Sequence, residues 1–362
     1  MKTFKQFRRT AVKCLGLTVL IGLAGNVAAQ ALPPVPEIYM YRGADRDQKL
    51  LEGARKEGTV TVYTSLNTKD SIPITEAFEK KYGIKTSLWR ASSEKVLNRA
   101  IAESRAGRHA ADVYETNGPE LEAMYREKLL TEFYSPVFKD IPAVAFPAHR
   151  NYVADRFNFF VIGYNTNLVK PNEVPNTYED LLHPRWVGRM GIEAGDSDWF
   201  AAIVKKLGEK EGLAYFRKLA DQKPIVRNGH TLLAELVAAG EVPMALSVYN
   251  QNIERLMQRG APVKWKAMPP TFGRPNGIAV SRTAPHPHAA LLFAEFMLSR
   301  EGQELIKSRN RVPSSAAVDS SLNKFPYQMI DPVIVLDEWE KWEKLWTALF
   351  LKGHTAGKKE EE

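Results

Sequence analysis

The stretch Thr59-Val-Thr-Val-Tyr63 is rich in β-branched residues and has the alternation that predicts a β-strand. Helical and extended patterns alternate from this strand onward through the first part of the chain. In chain order, the predicted elements are helix Ile74–Tyr82, strand Ile84–Trp89, helix Glu94–Arg105, strand Ala111–Tyr114 and helix Pro119–Glu127. This β-α-β-α-β-α order predicts a parallel sheet covered by helices, and therefore an α/β fold.

The same order indicates where a ligand would bind. In parallel sheets flanked by helices, ligands lie beyond the carboxyl ends of the strands. The loops that begin at Thr64, Arg90 and Glu115 are therefore the predicted walls of a binding site.

The second half of the chain continues the alternation. Its predicted strands are Phe157–Tyr164, Met190–Glu193, Pro224–Val226, Met244–Tyr249, Val263–Ala267 and Gly277–Ser281. The tail, Pro332–Phe350, is amphipathic. It places Trp339, Trp342 and Trp346 on one side of a helix, which predicts a stripe that packs the tail on the body of the protein.

The amino-terminal residues 1–31 have the features of a secretory signal. Five cations precede the apolar run Leu15–Ala24, and Ala29-Gln30-Ala31 fits a cleavage site. The pair Arg8-Arg9 leaves open whether the export route is Sec or twin-arginine. No later segment has the length and apolar character of a membrane span, so the sequence predicts a soluble periplasmic protein.

Charge and cysteine content exclude several classes of function. The chain has 50 basic and 42 acidic residues, and removing the five leader cations leaves 45 against 42, a formal charge of +3. That balance is not the basic surface of a nucleic-acid-binding protein. The single cysteine, Cys14, lies in the leader, so the mature chain has no disulfide, thiolate nucleophile or cysteine metal ligand.

Motifs for several common enzyme and nucleotide-binding activities are also missing. The sequence has no phosphate-binding P-loop, no G-x-G-x-x-G after a strand, no H-E-x-x-H and no G-x-S-x-G. No catalytic residue and no cofactor are predicted. An exported hydrolase that uses dispersed carboxylates stays open as an alternative, because no motif would reveal it.

Several segments together resemble periplasmic substrate-binding proteins of ABC importers, and most closely the ferric-iron-binding branch. These segments are Gly58–Ser65, Phe78–Ile84, Ala110–Val113, Gly277–Val280 and Ala289–Ile306. The resemblance implies the type 2 fold, in which two lobes, each a sheet flanked by helices, enclose a ligand cleft. Lobe 1 would comprise 38–155 plus 276–355 and lobe 2 would comprise 156–275, with hinges near Asn151–Phe160 and Arg274–Ala279.

The iron ligands that the resemblance implies are replaced in this sequence. The family's histidine position falls on Asn67 and its glutamate position falls on Asn117, with Glu115 two residues away. The family's tyrosine pair falls on Asn250-Gln251, directly after Tyr249. Amides are poor ligands for Fe³⁺ but good donors and acceptors for an organic solute. The expected cargo is therefore a small polar molecule.

The charge of that cargo is predicted to be negative. Helices start after Ser92, after Asp196-Ser197 and at Asn228-Gly229, and free N–H groups at helix starts favour anions. Arg90, Arg227 and Arg274 could clamp a carboxylate or phosphate, whereas Asp198 would instead accept an amine or cap a helix. The predicted ligand-binding residues are Ser65, Asn67, Arg90, Ser92, Ser93, Asn117, Ser197, Trp199, Asn228, His230, Tyr249, Asn250 and Arg274.

The resulting hypothesis is a monomeric solute-binding component of an ABC transporter. It would close its cleft on the solute and deliver it to an inner-membrane permease, without contacting nucleic acid. A ferric-iron carrier using Tyr249, Glu115 and exogenous anions is the first alternative, and an exported enzyme is the second. For Ser65, Asn67, Ser92 and Ser93 a purely structural role as turn or helix-cap residues also stays open.

Overall fold

The computed structural model describes residues 34–351. The predicted signal peptide, residues 1–31, lies outside the described residues. Within 34–351, no helix combines the length and apolar character that crossing a lipid bilayer requires.

The first part of the chain forms the predicted parallel sheet. Its elements are α1 (Arg46–Glu57), β1 (Thr59–Thr64), α2 (Thr68–Tyr82), β2 (Lys85–Arg90), α3 (Ser93–Arg105), β3 (Val113–Asn117), α4 (Gly118–Arg126) and β4 (Leu130–Thr131). Strand β1 pairs in parallel with both β2 and β3. The α/β fold class is therefore confirmed.

Helix α2 begins six residues earlier than predicted. The side chain of Asn67 accepts the backbone N–H of Asp70 at 3.1 Å, which caps the helix before Thr68. This cap stabilises the first turn of the helix, which lies ahead of Pro73.

The next elements build the rest of the sheet. They are β5 (Val153–Asn165), β6 (Met190–Glu193), α5 (Ser197–Leu207), α6 (Glu209–Asp221), β7 (Ile225–Arg227), α7 (His230–Ala239), β8 (Met244–Tyr249), α8 (Asn250–Met257), β9 (Val263–Lys266) and β10 (Phe272–Ser281). The central strand order is β2-β1-β3-β10-β5-β8-β6-β7. Strand β6 is parallel to its neighbours β7 and β8.

Two long central strands connect the halves of this sheet. The first half of β5 pairs with β10, and its second half pairs with β8 and β9. The register shifts between Asn276 and Gly277 in β10, and between Val161 and Gly163 in β5. The predicted hinge segments coincide with these strands, although the hinge itself stays a prediction.

The last elements that the structure describes are helices and short strands. They are α9 (Pro287–Leu298), α10 (Arg300–Ser308), β11 (Val312–Pro313), β12 (Gln328–Met329), α11 (Pro332–Asp337), α12 (Trp339–Trp346) and a π-helical turn, Thr347–Leu351. Strand β12 pairs with β10, α11 packs on α4, and α12 packs on α5. The lobe boundaries stay a prediction, and these contacts favour counting α12 with lobe 2 rather than with lobe 1.

Two of the three predicted tryptophans anchor this tail. Trp342 and Trp346 are 2% and 0% exposed and pack against Phe200 on α5. Trp339 is 46% exposed, so its predicted place in the buried stripe is wrong. The reason is that the tail is not one continuous helix: α12 starts at Trp339, and its buried residues begin one turn later.

Candidate functional site

The carboxyl ends of β6, β7 and β8 bring a group of polar side chains to one edge of the sheet, as expected for parallel strands. We call this group the second wall; its members are Glu193, Asp196, Asp198, His230 and Tyr249. The sequence analysis identified His230 and Tyr249 as ligand-binding residues and considered Asp198, but missed Glu193 and Asp196.

Glu193 connects two loops of the second wall by hydrogen bonds. Its carboxylate accepts the backbone N–H of Gly195 at 2.6 Å and that of Gly229 at 2.8 Å. The positive φ of Gly229, 101°, gives the tight turn that presents its N–H group. The anion site expected around the starts of α5 and α7 is thus partly filled by the protein's own carboxylate, which corrects that expectation. Burial, followed by the charge of Asp196, raises the pKa of Glu193.

Arg274 is held by the second wall. Its Nε donates to Asp198 Oδ2 at 2.6 Å, and its guanidinium also donates to Asp196 and to the hydroxyl of Tyr249. The same group lies 4.9 Å from the ring centre of Phe160. Since these contacts engage its donors, the structure does not support the predicted role of Arg274 as a free clamp for an anion.

The two rings of the second wall are stacked. The centroids of His230 and Tyr249 lie 3.7 Å apart. Nδ1 of His230 lies 3.1 Å from the carbonyl oxygen of Ser247, and Nε2 lies 3.3 Å from Asp196 Oδ1. Burial raises the pKa of Tyr249, so that this side chain is a neutral phenol at ordinary pH.

A second group follows β1, β2 and β3. We call it the first wall; its members are Ser65, Asn67, Arg90, Ser92, Ser93 and Asn117. Arg90 is exposed at the end of β2. Ser92 occupies the N-cap position of α3 without a side-chain bond to the helix backbone, which leaves its hydroxyl available to a ligand. All six were predicted as ligand-binding residues, and that role stays a prediction.

A chain of four amides crosses the central strands. Gln251 Nε2 donates to Asn158 Oδ1 at 2.6 Å, Asn158 donates to Asn276, and Asn276 donates to Asn117. The sequence analysis did not assign Asn158 and Asn276 to the site. The signal that could have found them is the presence of amides inside two apolar strands of the predicted hinge.

Three of the predicted ligand residues have surroundings that argue against that role. Trp199 is 2% exposed and packs edge-on against Phe216 and Trp346, so it belongs to the core. Asn250 is 0% exposed; its amide donates to the carbonyl of Leu322 at 2.6 Å and accepts the next backbone N–H. Ser197 is 1% exposed. By contrast, Asn228 is exposed at the end of β7.

The two residues named for an iron site lie far apart. Glu115 is on β3 and Tyr249 ends β8, with β10 and β5 between those strands in the sheet. Three strand spacings amount to about 14 Å, too far for one ion. Glu115 is also 2% exposed and engaged by Arg156 and Thr64.

A groove of about 480 Å³ lies beside the predicted residues, between α2, α7, α8 and the end of α10. Its position follows from the fold, because Thr231 comes directly after His230 and Lys69 lies two residues after Asn67. Its charged lining residues are Lys69, Arg255, Arg259, Arg309, Asp70 and Glu235. Asp70 is paired with Arg311 at 2.7 Å, so the groove carries an excess of positive charge.

Glu120, at the start of α4, should make stability depend on pH. Burial, opposed by Arg274 and assisted by Asp198, raises its pKa from 4.5 to about 7. The folded protein therefore keeps a proton that the unfolded chain releases between these values, and stability falls as pH rises through this window. We expect Glu120→Gln to stabilise the protein by about 1–3 kcal/mol near pH 8 and to have little effect near pH 4.

Urea denaturation at several pH values checks this expectation for Glu120. Glu76→Gln is the matched control, because Glu76 is an exposed carboxylate on α2. A Glu120→Gln profile parallel to that of the wild type would contradict the assignment.

Comparison with known proteins places the chain among solute carriers. The sequence profile described as "Bacterial extracellular solute-binding protein" matches residues 74–327. The chain is 26% identical over 291 residues to Iron uptake protein A1 of Synechocystis, covering 74% of this chain and 79% of that protein. It is 23% identical over 266 residues to the Fe(3+)-binding periplasmic protein of Serratia marcescens, covering 68% and 76%.

Solved structures show the same fold. Iron-bound HitA from Pseudomonas aeruginosa superimposes with a TM-score of 0.72 at 23% identity, over 81% of this chain and 99% of that one. The periplasmic binding protein AfuA from Actinobacillus pleuropneumoniae, solved with exogenous fructose-6-phosphate, has a TM-score of 0.69 at 21% identity, with the same coverage. The two-lobed periplasmic-binding-protein fold predicted from the sequence is therefore confirmed.

Proposed function

The chain belongs to the bacterial extracellular solute-binding protein family, and from this premise we propose that it is the periplasmic solute-binding component of an ABC importer for a small anionic polar solute. It binds the solute, closes over it, and releases it unchanged to a permease in the inner membrane. The role requires no catalytic residue and no cofactor.

The positive charge of the groove is the observation that favours an anionic solute. Four basic side chains line a groove of about 480 Å³, against two acidic ones, of which Asp70 is neutralised by Arg311. Arg309 is one of the four basic residues, and their combined charge attracts an anion. The volume is in the range that small-molecule sites occupy. AfuA, which shares the fold, was solved with a phosphorylated sugar.

The central strands support closure as the mechanism. The amide chain from Gln251 to Asn117 passes through β5 and β10, so the first wall is linked to the start of α8 by hydrogen bonds across the strands that would bend. Amides can exchange donors and acceptors when a solute arrives. A solute in the groove, between α2 on one side and α7 and α8 on the other, would stabilise the closed form by the hydrogen bonds it makes to both sides.

Ferric iron is the competing cargo, because two relatives are named for iron. Glu115 and Tyr249 do not favour iron, because they lie too far apart to bind one ion. Glu115 is also already engaged by Arg156 and Thr64. We expect the purified protein to stay colourless after incubation with ferric citrate. A visible tyrosinate-to-iron charge-transfer band would contradict the proposal and support the iron carrier.

Thermal-shift screening with carboxylates, phosphonates, sugar phosphates, neutral sugars and amines tests the proposal. A true cargo at 100 times its Kd stabilises the folded protein by about 2.7 kcal/mol, which gives a clear rise in Tm. We expect the hits to be anions. Hits confined to neutral sugars or amines would contradict the proposed charge of the cargo.

Removing two groove cations should weaken the binding of such a hit. Lys69→Gln/Arg259→Gln changes two exposed groove residues, and we expect a 10- to 100-fold increase in Kd, measured by isothermal titration calorimetry. Lys85→Gln/Lys264→Gln removes two exposed cations outside the groove and serves as the control. Equal affinities of both double variants would show that the solute binds elsewhere.

A further inference from the structure

We propose that Glu193, Asp196 and His230 of the second wall bind a divalent first-row transition-metal ion. One ligand atom from each of the three lies within 4.8 Å of the others. Glu193 ends β6, Asp196 precedes α5 and His230 begins α7, and Glu193 connects their loops by hydrogen bonds to Gly195 and Gly229. The site is distinct from the groove and does not depend on which solute the groove takes.

The contacts of His230 orient its ring as in a metal-binding histidine. A carbonyl oxygen can only accept, so the contact between Nδ1 and the carbonyl of Ser247 places a proton on Nδ1 and aims Nε2 at Asp196. Nε2 lies 3.3 Å from Asp196 Oδ1. The position between these two atoms can hold either a second ring proton or a metal ion, and we assign it to a metal ion. An N–H donated to a backbone carbonyl is also how metal-binding histidines are oriented.

Asp196 gives the second argument. Its side chain is 0% exposed, and its Oδ2 atom has no hydrogen-bond partner in the described part of the chain. A buried carboxylate oxygen without a partner is costly, and a metal ion would satisfy it. Each oxygen of Glu193 uses one acceptor position for a backbone N–H group and keeps a second for an ion.

The local charge matches a divalent ion. Three carboxylates, those of Glu193, Asp196 and Asp198, face one guanidinium, that of Arg274, so the formal charges of these four side chains sum to two negative charges. Arg274 donates chiefly to Asp198 and Tyr249 and only at 3.3 Å to Asp196. Two carboxylates with one imidazole suit Zn²⁺, Co²⁺ or Mn²⁺, whereas Ca²⁺ and Mg²⁺ prefer oxygen ligands alone.

Calorimetric titration of the tag-free, chelator-treated protein with Zn²⁺, without any organic solute, tests the site. We expect one equivalent to bind, and at least a tenfold weaker affinity for His230→Gln and for Asp196→Asn. His109→Gln is the control, because His109 is exposed and far along the chain from the second wall. No Zn²⁺ binding by the wild type, or unchanged affinity in both variants, would overturn the proposal.

Two further measurements keep the result interpretable. The visible spectrum of the Co²⁺-loaded wild type should show the d–d bands of a nitrogen and oxygen site, and this readout does not depend on whether a variant folds. Equal affinity for Mg²⁺ would overturn the assignment to a transition metal. Failure of the metal site leaves the anion-induced rise in Tm unchanged, so it can be distinguished from failure of the proposed function.

Discussion

Replacing Arg156 by methionine is expected to lower the free energy of unfolding by about 3–5 kcal/mol. Arg156 is 3% exposed and forms ion pairs with Glu115 and with Asp155, the latter at 3.2 Å. These carboxylates are 2% and 0% exposed. Methionine fills similar space but leaves both of them buried without a counter-charge, which is the costly way to break a buried ion pair.

Urea denaturation at neutral pH measures this loss. Arg105→Met is the control, because Arg105 forms an exposed ion pair with Glu127 at 3.4 Å, and we expect it to cost less than about 1 kcal/mol. The deficit of Arg156→Met should shrink as pH falls, because protonation neutralises the two carboxyls. A loss below 1 kcal/mol at neutral pH would mean that water reaches this cluster in the folded protein.

Trp346→Ala is expected to cost a similar amount, about 3–5 kcal/mol, because it removes a fully buried indole. The ring packs against Trp199, Phe200 and Phe350. Its Nε1 also donates to the carbonyl oxygen of Ala194 at 2.6 Å, in the loop that carries Asp196. We therefore expect this substitution to loosen the second wall as well as to destabilise the core.

Two variants separate these effects. Trp346→Phe keeps much of the packing but loses the hydrogen bond, so it should be less destabilised while its loop still exchanges amide hydrogens faster at Ala194–Asp196. Trp339→Ala removes a 46% exposed indole from the same helix and should change stability by no more than about 0.5 kcal/mol. Equal losses for Trp339→Ala and Trp346→Ala would contradict the packing of α12 on α5.

Local sequence patterns were sufficient to predict the architecture of the sheet. The β-branched run at Thr59–Tyr63 and the alternation of helical and extended patterns after it predicted the parallel order of β1, β2 and β3. The same patterns placed the starts of α3, α5 and α7 at the carboxyl ends of strands. These features depend on interactions between residues close in the chain, which a sequence displays directly.

The ion pairs and hydrogen bonds of the site could not be predicted from local sequence patterns. Arg274 and Asp198 are 76 positions apart, and they meet only because β10 returns between β3 and β5. From the sequence alone, Arg274 is therefore predicted to be free to bind an anion, although in the structure it is paired with Asp198. The same limit applies to Glu193, whose role depends on the turn at Gly229, and to Asn158 and Asn276, which meet through strand register.

The most direct test measures the binding and the recovery of one anion that raises Tm in the thermal-shift screen. The solute is dialysed to equilibrium against the wild type and against Lys69→Gln/Arg259→Gln, the protein is then denatured, and the released small molecules are quantified by mass spectrometry. We predict one equivalent bound to the wild type, recovered with its mass unchanged, and much less bound to the double variant. Recovery of a chemically altered molecule, or equal binding by both proteins, would contradict a carrier that holds its cargo in this groove.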